Sequence, residues 1–123
     1  MDNVASTGWV PPSAVHEHYR RAIALVNTSE LDREGFPNTF LEAWRYATPV
    51  LGLDIDPGRF LESDGTGHAG GEFDRLVTLT RRLADETDKR RRLGAGGMRA
   101  FRQHYHLNST VELYVDVLRE ALE

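Results

Sequence analysis

Two short apolar runs constrain this chain more than any other feature in it. One is "AIALVN", residues 22–27, and the other is "PVLGL", residues 49–53. Each is bounded by polar or turn-forming residues and is too short to be a typical helix. A continuous apolar run of this length suits a strand covered on both faces, as in a parallel sheet. Between them lie "TSELDREGF", which reads as a loop, and "PNTFLEAWRYA", which reads as a helix. Pro37 is tolerated in the first turn of that helix, where its missing N–H is not needed. Strand, helix and strand in that order make a βαβ unit and place the chain in the α/β class.

The remaining segments read mostly as helix. Pro11 and Pro12 introduce "SAVHEHYRRA", a short helix with Ser13 near its start. "DIDPGRFLESDGTGHAGG" is mostly loop, with one short helix after Pro57. "EFDRLVTLTRRLADE" carries Phe73, Leu76, Val77, Leu79 and Leu83 near helical spacing. "DKRRRLGAGGMRAFRQHYH" continues as helix, weakened by Gly94, Gly96 and Gly97. In "NSTVELYVDVLREALE", Ser109 and Glu112 form a capping-box pattern. Val111, Leu113, Tyr114, Val117, Leu118 and Leu122 are the expected buried side of this last helix. "NVAST" is weakly strand-like and offers a third strand. At 123 residues the chain suits one domain, residues 1–123. Even three strands make a thin sheet for a doubly wound fold, so the expected unit is a partial Rossmann-like one with a helical C-terminal tail.

Glu34 and Glu42 bracket a Gly-Phe-Pro corner at the end of the first strand. Ligands of open parallel sheets bind beyond the carboxyl ends of the strands. The helix that follows offers free N–H groups, here those of Asn38, Thr39, Phe40 and Leu41, and a partial positive charge suited to a phosphate. Gly35 allows close backbone approach and unusual φ. A carboxylate only accepts hydrogen bonds, which suits sugar or ribose hydroxyls. Glu34 stands at the mouth of the cleft, and Glu42, a little over a turn into the helix, can face the same cleft. Two hydroxyl acceptors flanking one phosphate site outline a nucleotide-sugar.

"EGFPNTFLEAW…PV" resembles the E-x7-E motif of the retaining glycosyltransferases of the GT-B fold, the group 1 or family 4 type. The resemblance runs from about residue 4 to the end, through "GWVPPSAVHEHYRRAIALVNTSELDREGFPNTFLEA" and "DGTGHAGGEFDRLVTLTRRLADETDKRRRLGAGGMRAF". It implies the C-terminal, nucleotide-sugar-binding domain of that fold, a three-layer unit with a small parallel sheet. Glu34 is then the catalytic-site residue that meets the hydroxyls of the transferred sugar. The backbone at Gly35 and Phe36 touches the sugar, Asn38 and Thr39 cradle the diphosphate, and Glu42 holds the ribose. Trp9 and Val10 lie near the base. The resemblance implies a nucleotide-diphospho-sugar donor, no cofactor and no tightly bound metal, with the leaving diphosphate stabilised by preorganised dipoles.

The departures are informative. The family's opening strand, its glycine-rich loop and its diphosphate-clamping Arg/Lys pair find no counterpart here, nor does its acceptor domain. The Gly before the family's Thr-Pro-Val strand is Ala47. The expectation is a truncated donor-domain fragment, inactive alone because transfer needs a closed interdomain cleft. The alternatives are a subunit of a split glycosyltransferase and a non-catalytic interaction module. An uncovered sheet edge would call for a partner chain or self-association.

Other motifs carry less. Asp54 and Asp56 in "DID" imitate a metal-binding pair, but a turn before Pro57 explains them and hard cations need more oxygens. His16 and His18, like His104 and His106, stand two apart in helical segments and point to different faces. His68 lies in a glycine loop that could cradle an anion but lacks a strand-then-helix order. "DKRRR" reads as a solvated helix face. A net charge of −4 argues against nucleic acid and against a membrane surface. Without cysteine there is no disulfide or thiolate site. The start lacks a signal-peptide pattern and no apolar run could span a bilayer, so the expected location is cytoplasmic.

Overall fold

The computed structural model describes residues 2–30, 33–56, 59–63 and 65–123. Leu31 and Asp32 of the expected loop, Pro57 of the expected turn, and Gly58 and Asp64 lie outside the described residues. The order of elements is α1 (Pro12–Arg21), β1 (Leu25–Glu30), α2 (Asn38–Arg45), β2 (Val50–Asp54), α3 (Phe60–Ser63), β3 (Gly67–Ala69), α4 (Phe73–Asp85), α5 (Thr87–Ala100), a π-helical turn (Phe101–Tyr105) and α6 (Leu107–Leu122). The three strands form one parallel sheet in the order β1-β2-β3. Leu25 faces Val50 across the first pairing, and Leu51 faces His68 across the second. The chain is therefore an α/β, partial Rossmann-like unit with a helical C-terminal tail.

Successive residues of a strand point to opposite faces, and β2 shows this in its packing. Val50 joins Phe40, Ala43 and Trp44 of α2 with Ile55 and Leu61 on one face. Leu51 joins Leu76, Leu79 and Leu83 of α4 and Leu93 of α5 on the other. β2 is thus buried on both sides, which explains the uninterrupted apolar run. Trp44 and Phe40 are fully buried, and burial of each such side chain stabilises by roughly 1.5–3 kcal/mol. β1 stands at the sheet edge and alternates half-buried with exposed residues. Val26, opposite Leu51, remains 44% exposed because α4 does not reach over β1.

The glycines of α5 have a role that helix propensity hides. A Cβ on Gly94 would collide with the carbonyl oxygen of Ala47, and one on Gly97 would lie 2.8 Å from Trp44 Cγ. Both residues are buried, and they let α5 press against α2 and the corner that follows it. Ala47 closes α2 with φ 55°. The left-handed region at a helix C′ position favours glycine, so the alanine that departs from the family pattern sits where glycine is easiest to accommodate.

Several expectations need correction. The strand-like "NVAST" forms no strand. β1 starts at Leu25 rather than at residue 22, because Ala22 still caps α1 through hydrogen bonds from its N–H to His18 O and Tyr19 O. The third strand, β3, lies inside the glycine segment read as loop, where a Cβ on Gly67 would collide with Val50 O. That segment does run strand then helix, contrary to the sequence reading, but Glu72 and Asp74 at the start of α4 place negative charge where an anion would sit. The last helix begins at Leu107, and His106 rather than Ser109 caps it, its side chain accepting from Asn108 N at 3.4 Å. The residues expected to form the buried side of α6 are exposed, Leu118 at 60%. The stripe exists, but α6 packs mainly on the π-helical turn before it, so little covers it.

Candidate functional site

The carboxyl end of β1 opens onto a cleft of about 660 Å³ lined by Thr28, Ser29, Glu30, Arg33 and Glu34. Its floor is set locally. Asn27 Oδ1 accepts from Ser29 N at 2.7 Å, and Arg33 Nε donates to Glu30 Oε2 at 2.8 Å. Glu34 is half-buried, and its Oε2 is fully hidden without a hydrogen-bond partner among the described residues. Buried polar atoms are nearly always paired, and each exception asks for an explanation.

Four residues further on, α2 begins without a side-chain cap and without an acidic residue in its first turn. Asn38 and Thr39 are exposed there. Their N–H groups and the positive end of the helix are open to an anion. Pro37, the N-cap, is buried and fixes the corner. Phe36 turns its ring inward, with ring centroids 5.2 Å from Tyr105, 5.9 Å from Trp44 and 6.1 Å from Phe40. That leaves its backbone as the part able to meet a ligand. Gly35 is exposed with open space where a Cβ would be, but its φ is not left-handed, so the unusual backbone expected of it is absent.

Glu42 does not share the Glu34 cleft, contrary to the expectation of one common cleft. It lines a second cavity of about 270 Å³ with Val10, Pro12, Val15, His16, Tyr19, Arg45 and Tyr46. The reason is a contact invisible in the sequence: Tyr19, on α1, donates its hydroxyl to Glu42 Oε2 at 2.7 Å. Burial first, and the Glu42 carboxylate second, push the Tyr19 phenol far above its usual value, so it remains a donor. Val10 and Glu42, expected near base and ribose, do come together. Trp9 does not line this cavity and is 84% exposed. The sequence reading missed Tyr19, Arg45 and Tyr46. Arg20 and Arg45 stand 5.2 and 5.8 Å from the Tyr46 ring centroid, and Tyr19 stacks on the same ring at 6.3 Å. The aromatic spacing in "HEHYRRA" was a signal, but nothing in it names Tyr46 as the partner.

The remaining candidates resolve into structural roles. Asp56 Oδ1 accepts from Leu61 N at 2.9 Å, which ties it to α3. His16 packs its ring 6.0 Å from that of Tyr46. Among the described residues no three His, Asp or Glu side chains gather into a metal-binding group. His68 points its Nδ1 at Glu62 Oε1, 3.6 Å away, beside Arg75, Arg82 and Lys89. Burial, then the Lys89 charge, hold its imidazole below the usual histidine value. In "DKRRR", Arg90 reaches back to accept a structural task, donating to Leu83 O at 2.9 Å at the end of α4. No described helix is long and apolar enough to cross a membrane.

A family model described as glycosyl transferases group 1 matches residues 1–87, a span that holds both the Glu34 cleft and the Glu42 cavity. No curated protein matches the chain.

Proposed function

Since this chain belongs to the group 1 glycosyl transferases, we propose that its β1–α2 corner binds a nucleotide-diphospho-sugar as donor for transfer of a hexosyl group to an acceptor. Glu34 accepts hydrogen bonds from hydroxyls of the sugar. The N–H groups of Asn38 and Thr39 receive the diphosphate, whose charge grows as it leaves and is met by dipoles already aligned. The nucleoside end runs past the start of α2 into the second cavity, where Glu42 accepts from the ribose and the base lies toward Val10. The observation that carries this reading is the place of Glu34 in the lining of the cleft at the carboxyl end of β1, four residues before an uncapped helix N-terminus. No metal is needed for the binding, because backbone dipoles supply the positive field.

Calorimetric titration with UDP, GDP and ADP and their hexose conjugates tests the reading. The expected result is micromolar binding of one nucleoside diphosphate. Its sugar conjugate binds more tightly, and that increment disappears in Glu34→Gln. A folded chain that binds none of the six overturns the proposal.

One observation favours a second, compatible reading, in which the module works with another chain. β1 is an edge of the described sheet, with Val26 on the strand and Ile23 just before it more than 40% exposed. An apolar strand edge is a template for pairing. Sedimentation over a hundredfold concentration range is expected to show self-association that Val26→Lys weakens. A monomer at every concentration counts against pairing with a second copy.

A further inference from the structure

We propose that Tyr19 is the positioning residue of Glu42. It holds one carboxylate oxygen so that the free acceptor positions meet ribose hydroxyls, and it thereby sets a preference for ribonucleotides over 2′-deoxyribonucleotides. This rests on the reading that a nucleotide occupies the cavity shared by Val10 and Glu42.

The geometry has two parts. First, Glu42 is an exposed residue on the surface of α2, and its side chain is held by a 2.7 Å hydrogen bond from Tyr19. Charge-assisted hydrogen bonds of this length are among the strong ones. The bond occupies one lone pair of Oε2 and leaves Oε1 for hydroxyl donors. Second, Tyr19 is itself held on several sides. Its ring stacks on Tyr46 with planes 12° apart. Its carbonyl oxygen accepts from Thr48 Oγ1 at 2.8 Å, and Thr48 is buried at the corner before β2. A donor fixed by the core therefore fixes an acceptor at the surface. The phenol cannot be replaced by water in this role without losing that anchorage, since a bound site is most selective when its polar groups are preorganised.

A plain interhelical strut between α1 and α2 would show the same hydrogen bond, so the decisive readout is discrimination rather than stability. The experiment measures binding of UDP, GDP and ADP and of their 2′-deoxy forms to the wild-type chain, Tyr19→Phe, Glu42→Gln and the double variant, with circular dichroism to confirm folding. The wild type is expected to prefer the ribo form of its nucleotide by roughly tenfold. Tyr19→Phe reduces that preference to about threefold or less, with a smaller loss of affinity for the 2′-deoxy form, which keeps its 3′ hydroxyl. In the double variant, Tyr19→Phe adds nothing to the loss caused by Glu42→Gln. Full ribose preference in a folded Tyr19→Phe overturns the positioning role and leaves the nucleotide reading standing. Nucleotide binding by the wild type without ribose preference also overturns it, and absence of any binding overturns both. Should Tyr19→Phe fail to fold, Glu42→Asp withdraws the carboxylate by one methylene from the phenol, and an undiminished preference there overturns the proposal equally.

Discussion

Replacing Gly94 by alanine sets two physical effects against each other, and the structure says which wins. In an isolated helix the change is favourable by about 1 kcal/mol, because glycine is a poor helix former. In the fold, a Cβ at that position would collide with Ala47 O and lie 2.9 Å from the Ala47 carbonyl carbon. Carbon atoms pack at about 3.5–4.0 Å, so relief demands a displacement of at least about 0.6–1.1 Å. The opposing atoms are backbone and cannot rotate away. Ala47 N is bonded to Trp44 O and Thr48 N to Ala43 O, both at 3.0 Å, which locks the corner. Moving α5 instead would drag Gly97 off Trp44 and Leu93 out of its cluster. Overpacking typically costs about 1–3 kcal/mol, and a backbone obstacle puts this case at the upper end. Subtracting the propensity gain leaves a net destabilisation of about 2 kcal/mol. In urea unfolding followed by circular dichroism, with a slope of about 2 kcal/mol/M, the midpoint falls by about 1 M. The neighbouring exposed Ala95, changed to glycine, supplies the control and should lose only about 1 kcal/mol from propensity. A Gly94→Ala midpoint equal to or above wild type would refute the close approach of α5 to the α2–β2 corner.

Ala47→Gly relieves a left-handed φ of 55° and is expected to stabilise by about 1 kcal/mol, raising Tm by roughly 4 °C in calorimetry; an unchanged or lower Tm contradicts the backbone assignment. His68 is held below its usual value by burial, so its neutral form is the one the fold prefers. The stability it contributes is present above about pH 6.5 and is lost as pH falls below that. Denaturation at pH 7.5 and 5.5 should therefore show a drop that shrinks in His68→Gln, and equal drops would dismiss the effect. Glu34→Ala removes a hidden oxygen that no described residue satisfies, so the fold should gain or lose no more than about 1 kcal/mol while the sugar increment in binding disappears. A loss well beyond that would mean Glu34 has a structural partner.

The sequence was legible wherever the signal was local. The two apolar runs became adjacent parallel strands, with ends displaced by one to three residues. The spacing of Leu76, Leu79 and Leu83 became the buried side of α4. The Gly-Phe-Pro corner became the entry to α2, and Asp56, read as a turn former, accepts a hydrogen bond from Leu61 N of α3. β3 was illegible because three residues between glycines carry no period of their own.

What the sequence determined by itself is therefore the class of the fold and the family, since each rests on neighbouring residues and fixed spacing. Tertiary structure alone decided that Glu34 and Glu42 face different cavities, because a tyrosine 23 positions earlier takes hold of Glu42. It alone turned the glycines of α5 from a weakness into a contact surface, and it alone left the apolar stripe of α6 uncovered. Periodicity reports which side of a helix is apolar. Whether anything packs there, and against which atoms, depends on segments far along the chain, and no local pattern encodes that distance.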